Sequence, residues 1–161
     1  MSRWIRPTEA HLRGYLSDTE IASFRETMAD SDKVDTLAMV IDAACHQVRG
    51  KIAGNRINRL AAGATVPKSL LRHTMVLAMW DIMSRPGASV VDASGSRKRM
   101  AEEASKELDK IAEGAKDAIR VEAPDADELD ADENSRWNLP GALEIVASKT
   151  ATLTEETLVG L

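Results

Sequence analysis

The chain has 161 residues, of which 43% are hydrophobic and 3% aromatic, with 21 Lys and Arg against 26 Asp and Glu. This length suits one domain of ordinary size and is too short for two well-packed domains with a tail left over. A single cysteine, Cys45, excludes an internal disulfide or a multi-thiolate metal site within one chain, and the sequence has neither an apolar run of membrane-spanning length nor an apolar secretory leader, so we expect a soluble protein made in the cytoplasm.

Two short helices are predicted at the start of the chain. Pro7 and Thr8 are typical of a helix entry, and Ser17 stands three residues before Glu20, which is the spacing of a reciprocal capping box. The second of these helices is predicted to end near Asp30. Their apolar stripes are Leu12, Tyr15 and Leu16, then Ile21, Phe24 and Met28.

The strongest periodic signal lies between Asp32 and Gly54. Apolar residues recur there every three or four positions over about five turns, with polar residues opposite them. They are Val34, Leu37, Ala38, Ile41, Ala44, Cys45, Val48 and Ile52. The pattern predicts a helix roughly 30 Å long, at about 1.5 Å per residue.

Two further helices complete the predicted bundle. Pro67 suits the first turn of a helix that is apolar on almost every face between Lys68 and Arg85, and such a helix is expected at the centre, wrapped by the others. Ser96 is predicted to cap a last helix. Its apolar repeat is Met100, Ala104, Leu108, Ile111, Ala112 and Ala115. We therefore expect an all-α protein, a small bundle of about four to five helices over residues 1–121 with an extended C-terminal arm over residues 122–161.

Charge divides the chain at the same boundary. Residues 1–121 carry 19 basic against 16 acidic side chains, whereas the arm carries 2 against 10. Like charges resist collapse but attract a basic partner, so this asymmetry favours an interaction tail, with a disordered solvating terminus as the alternative. The stretch from Glu122 to Glu133 is expected to be extended when alone.

Apolar residues return further along the arm, in a segment too short to form its own core. They fit an edge strand and a helical turn equally well, so the local structure is open. In either case they require a surface on which to dock. The predicted partner-binding anchors are Trp137, Leu139, Leu143, Ile145 and Val146.

The sequence offers little for catalysis. His11, His46 and His73 lie on three separate predicted helices, and there is no His-Glu-x-x-His or Cys-x-x-Cys motif. Cys45 falls on an apolar stripe and is predicted to be a buried core thiol. Residues 86–95 lack the spacing and the Lys of a phosphate-binding loop. We therefore predict no enzymatic activity, no metal and no cofactor.

Two basic clusters stand out, one near the end of the long helix and one at the start of the last helix. They are Arg49, Lys51, Arg56 and Arg59, and then Arg97, Lys98 and Arg99. Such charges suit phosphates or the acidic arm of another subunit, and a solvated surface is the alternative. Specific DNA recognition is not expected, because the chain is acidic overall and has no recognisable recognition helix.

Three stretches of the chain, taken in order, carry a resemblance to a known family. They are Val34-Asp35 with Ile41-Asp42-Ala43-Ala44 and Val48, then Pro67 with Leu70, Leu71 and Ala78-Met79-Trp80, and last Ala104 and Leu108 with Ile111-Ala112 and Gly114. Their order and spacing resemble those of the small helical head-completion, or head-tail adaptor, proteins of Mu-like tailed bacteriophages. The resemblance spans about residues 5–119.

The resemblance implies a structural virion protein of the neck, at the head-tail interface, which extends the DNA channel and joins the capsid to the tail. It also implies that a basic cluster faces this channel or the arm of a neighbouring subunit. Its partners would be other copies of the chain in a ring of about twelve, the portal protein above and a tail-side stopper or tail terminator protein below, with packaged DNA passing nearby and no membrane. Neighbouring copies in a ring meet head to tail, so we expect the arm to lie on a neighbour or on the portal.

Three alternatives remain open from the residues alone. The first is a helical DNA-binding or packaging accessory protein that uses the basic clusters as phosphate contacts. The second is a small enzyme whose site forms between subunits and draws on His46 or His73. The third is an unrelated helical regulatory protein whose arm binds a host factor.

Overall fold

The computed structural model describes residues 3–28, 36–85 and 95–129. Within them the chain forms five α-helices and one two-stranded sheet, so the predicted all-α bundle is confirmed. In chain order the elements are β1 Trp4–Ile5, α1 Glu9–Leu12, α2 Asp18–Met28, α3 Thr36–Gly54, β2 Val66–Pro67, a 3-10 turn Lys68–Leu70, α4 Leu71–Ser84 and α5 Ser96–Glu113. The strands are antiparallel, with Trp4 opposite Pro67 and Ile5 opposite Val66.

Helix α4 is the centre of the bundle, as its apolar sequence predicts. Helices α1, α3 and α5 all contact it. Seven of its fourteen residues are buried, and the buried Thr74 hydroxyl donates to Leu70 O at 3.0 Å. The core around α4 is mainly aliphatic, which is consistent with the low aromatic content of the chain.

The ends of the helices follow local rules, with one difference from expectation. The Ser17 N–H donates to Glu20 Oε2 at 2.7 Å and the Glu20 N–H donates to Ser17 Oγ at 3.3 Å, so the predicted capping box is confirmed. At α5, however, the N-cap is Gly95, with φ of 62°, and the expected cap Ser96 is already the first helical residue. A left-handed backbone at Gly95 turns the chain into the helix one residue earlier than a serine cap would.

The long helix is described from Thr36 onward, and it ends at the predicted Gly54. Val34, which the sequence assigns to the same apolar stripe, lies outside the described residues. Helix α5 ends at Glu113, and the φ of 70° at its C-cap, Gly114, lies in the left-handed region. The Gly114 N–H donates to Ile111 O and the Ala115 N–H donates to Lys110 O, which satisfies carbonyls of the last turn.

Residues 122–129 belong to the same compact unit as the helices. The Trp4 Nε1–H donates to Glu122 O at 2.9 Å, and the Ala62 N–H donates to Glu128 O at 2.7 Å. An isolated antiparallel bridge pairs Ala61 with Leu129. The first eight residues that the sequence assigned to the arm therefore lie on the bundle, because their backbone groups find partners there; residues 130–161 lie outside the described residues.

Candidate functional site

A groove of about 560 Å³ lies between the loop that follows α3 and the segment that follows α5. One wall comes from residues 55–59 and the other from residues 114–123, together with Ile111 of α5. The two walls are close because the two helices end side by side. A Cβ on Gly54 would lie 3.2 Å from the Ala112 Cβ, and one on Gly114 would lie 3.1 Å from Asn55 Nδ2.

The loop wall is held by asparagine side chains. The Ile57 N–H donates to Asn55 Oδ1 at 3.1 Å, which is a local turn of the kind asparagine favours. The Asn58 Nδ2 donates to Ile52 O at 3.3 Å and so satisfies a carbonyl in the last turn of α3. These contacts fix the backbone of the loop while leaving the Ile57 side chain 87% exposed.

The groove combines an apolar lining with a cationic rim. Ile119 and Val121 line it and pack against the core, while Ile57 projects into solvent on the other wall. The cations on or beside it are Arg56, Arg59, Lys116 and Arg120, and within the described part of the chain none of the four is paired with a carboxylate. The one carboxylate in the lining is Glu122, whose Oε2 accepts a hydrogen bond from the Ser69 N–H at 3.4 Å.

Sequence reasoning found only half of this rim. Arg56 and Arg59 belong to the first predicted basic cluster, but Lys116 and Arg120 were not singled out. A signal was present, since the helix-ending Gly114 is followed by basic residues interleaved with Ala118, Ile119 and Val121. The sequence does not show that the ends of α3 and α5 are in close contact, and this contact brings the two basic segments to one groove.

The fold divides the first basic cluster. Arg49 is only 4% exposed, and its guanidinium donates to Ala61 O at 2.8 Å and to Thr65 O at 3.1 Å. It therefore holds the loop before β2 and does not face a channel or a neighbouring subunit, which corrects the prediction made for it. Lys51 pairs with Asp109 of α5.

The second basic cluster is also partly structural. The Arg97 guanidinium donates to Glu20 Oε1 at 2.6 Å, and both side chains are partly buried, so the pair joins the N-terminal ends of α5 and α2. This hydrogen bond holds the pKa of the Glu20 carboxyl below its usual value. Lys98 lies 3.9 Å from Glu102 on the same helix, and Lys98 and Arg99 are exposed.

The histidines and the cysteine lie on three helices, with His11 on α1, Cys45 and His46 on α3, and His73 on α4. Cys45 is fully buried, as predicted, and burial raises the pKa of its thiol to about 11. His73 borders a cavity of about 260 Å³ lined by residues of α4 and α5. Its Nδ1 is buried and has no hydrogen-bond partner among the described residues. His46 is exposed on α3, and within residues 3–28, 36–85 and 95–129 no three His, Cys, Asp or Glu are grouped as metal ligands.

The anchors Trp137, Leu139, Leu143, Ile145 and Val146 lie outside the described residues, and their role stays a prediction. No helix in the described part of the chain is both long and apolar enough to cross a membrane. No protein-family model matches the sequence, and neither the curated proteins nor the solved structures contain a match.

Proposed function

We propose that this chain is a structural virion protein, a head-tail adaptor that forms a ring under the portal, extends the DNA channel and joins the capsid to the tail. The observation that carries the proposal is the groove. It presents an exposed Ile57 and three cations without carboxylate partners on the described body, on a chain whose residues 130–161 are acidic and contain the predicted apolar anchors. The family resemblance supports the same function.

The mechanism is geometric. In a closed ring each copy offers one surface to the neighbour on one side and a different, complementary surface to the other. A cationic, apolar groove and an acidic, apolar arm are two such surfaces on one chain. Opposite charges accelerate encounter and fix the register, and apolar anchors supply affinity.

The proposal assigns no enzymatic activity to the chain. Catalysis requires a nucleophile or base brought together with a group that activates it. Among the described residues, His11, His46 and His73 stand on α1, α3 and α4, and Cys45 is a buried thiol with a raised pKa. A role in assembly needs none of these groups to react.

Light scattering of the purified chain, alone and mixed with the portal protein encoded nearby, tests the adaptor function. We expect a complex of about twelve copies on the portal. Arg56→Glu/Arg59→Glu should weaken this complex, whereas the matched control Lys98→Glu/Arg99→Glu, at the other basic cluster, should not. Absence of portal binding across a range of salt concentrations would reject the adaptor function.

A DNA-binding or packaging accessory is the second candidate. It is favoured by one observation, namely that four exposed cations lie on or beside a single groove. The apolar lining and Glu122 disfavour it, since phosphates gain nothing from Ile57 and are repelled by a carboxylate. A gel shift by the wild-type chain that weakens steeply with salt and is lost in Arg56→Glu/Arg59→Glu would support it.

A further inference from the structure

The chemistry of the groove restricts what binds there. Three cations line it, Arg59, Lys116 and Arg120, against the single carboxylate of Glu122. The large exposed side chain of Ile57 lies among them. A ligand that satisfies both features carries negative charge and apolar side chains close together, which describes an acidic peptide with large apolar residues rather than a nucleic acid.

The chain itself contains such a peptide beyond Leu129. The first part of this segment is acidic, with Asp130, Asp132 and Glu133, and the next part is apolar, starting with Trp137 and Leu139. Residues 130–146 carry four acidic side chains and only one basic one, Arg136, so their charge is opposite to that of the rim. Aromatic and aliphatic anchors next to charged residues are typical of peptide segments that dock in grooves.

The path of the chain favours a second copy as the donor of this peptide. Residues 121–123 line the groove, but the backbone then leaves it, because Glu128 and Leu129 bond to Ala62 and Ala61. To fill its own groove the chain would have to reverse direction after Leu129. A neighbouring copy can donate the segment without this reversal, and the 32 residues beyond Leu129 are long enough to reach it, since eight of them span at most about 26 Å when extended.

We propose that the groove receives residues 130–146 of a second copy of this chain, with the acidic residues on the Arg59, Lys116 and Arg120 rim and the apolar anchors against Ile57. Each copy then donates one segment and accepts another, which is a head-to-tail contact. The inference deepens the proposed function, because it names the contact between neighbours in the ring. Its test needs only the purified chain.

Cross-linking between two full-length variants tests this contact. A chain with Ile57→Cys is mixed with a chain with Trp137→Cys and treated with a short bismaleimide; native Cys45 is retained because its thiol is fully buried. We expect a two-chain product whose mass-mapped peptides join positions 57 and 137. The matched control replaces Ile57→Cys by Met39→Cys, since Met39 is the other large hydrophobic side chain exposed among the described residues, at 56%. The control should give at least about tenfold less product, which corresponds to about 1.4 kcal/mol.

Charge-reversal variants in the same cross-linking assay test whether the cationic rim binds the acidic residues of the segment. Introducing Arg59→Glu/Arg120→Glu into the Ile57→Cys chain should reduce the product about tenfold at low salt, because the reversed charges repel the acidic segment that the rim attracts in the wild type. Lys98→Glu/Arg99→Glu should leave it unchanged. The proposal would be overturned if the Arg59→Glu/Arg120→Glu and Lys98→Glu/Arg99→Glu chains gave equal yields of cross-linked product. It would also be overturned if Ile57→Cys and Met39→Cys gave equal yields.

Three further outcomes separate the alternatives. The double variant Ile57→Cys/Trp137→Cys, at high dilution, tests for a cross-link within one chain. If this cross-link forms while the mixture of single variants gives no two-chain product, the groove holds the chain's own segment and the proposal is overturned. If a short DNA duplex protects Ile57→Cys from the reagent and the Trp137→Cys chain does not react with it, the groove is a nucleic-acid site. Cross-linking between copies without portal binding would keep this inference and reject the adaptor function.

Discussion

Arg49 is a charged residue that the fold uses as a structural one. Its guanidinium supplies donors to Ala61 O and Thr65 O inside the bundle, at the turn that leads into β2. Buried carbonyls of this kind are costly when they lose their partners. Arg49 therefore contributes to holding the loop before β2, together with the Ala61 bridge and the Ala62 to Glu128 bond.

Arg49→Met keeps the length and apolar stem of the side chain but removes these donors. We expect the free energy of unfolding, measured by urea denaturation, to fall by about 2 kcal/mol. The control Arg59→Met changes an exposed arginine and should leave the midpoint unchanged. Equal midpoints for the two variants would contradict the structural role of Arg49.

His73 makes the stability of the bundle depend on pH. Burial, and then the charge of Arg72, lowers the pKa of its imidazole from the usual 6.5. The unfolded chain therefore takes up this proton at a higher pH than the folded chain. The stability contributed by neutral His73 is complete above pH 6.5 and is lost as the pH falls from there toward the lowered pKa.

His73→Leu should flatten the acid side of this profile. Urea denaturation at several values between about pH 5 and about pH 7.5 measures the free energy of unfolding over the relevant window. The control His46→Gln retains His73 and should retain the slope. A slope that is the same in His73→Leu and in the wild type would assign the effect to other groups.

At the scale of the elements, two glycines predict opposite responses to the same substitution. Gly114 has φ of 70° and faces Asn55, whereas Gly50 lies within α3 with nothing close to its missing Cβ. Gly114→Ala should lower the free energy of unfolding by about 1 kcal/mol, because alanine is strained in the left-handed region. Gly50→Ala should raise it by about 0.5 to 1 kcal/mol. Thermal denaturation of both variants gives the comparison, and a stabilised Gly114→Ala would refute the conformational explanation.

The helices were predictable because their signals are local. The all-apolar segment around Met75 and Met79 required a central position, and Ser17 with Glu20 marked a helix start. The two-residue strands were not predictable, since a single pair of residues carries no periodicity. The cap at Gly95 was missed because Ser96 is the more common type of cap, and the left-handed backbone of a glycine is not visible in a sequence.

The candidate site was only partly predictable, because it depends on contacts between distant residues. Arg49 and Arg59 look alike in the sequence, and only the folded loop shows that one holds buried carbonyls while the other lines a groove. Glu122 reads as the start of an acidic arm, yet its backbone oxygen bonds to Trp4, 118 residues away. The sequence gives the type and charge of a residue but does not show which residue it contacts in the fold.

At the scale of the whole molecule, Trp4 joins the two ends of the described body. Its ring is 4% exposed, and its Nε1–H bond to Glu122 O attaches the segment after α5 to the first strand. Trp4→Phe should speed amide exchange at Ala62, whose N–H bonds to Glu128 O further along the same segment. We expect about tenfold faster exchange, the equivalent of about 1.4 kcal/mol, by NMR.

Trp80→Phe is the matched control, since it makes the same change at a half-buried tryptophan of α4. Ala62 should exchange at the wild-type rate in this variant. Equal acceleration in both variants would indicate a general loss of stability rather than release of the segment from Trp4.

The attachment of residues 122–129 determines how the body would respond to force. A pull on the chain beyond Leu129 loads the Ala61 bridge and the Ala62 to Glu128 bond first, and Ser69 and Trp4 at Glu122 next. These contacts lie between the point of loading and Gly114, the C-cap of α5. Tension applied beyond Leu129 would therefore act on this short segment first and on the helical core only afterwards.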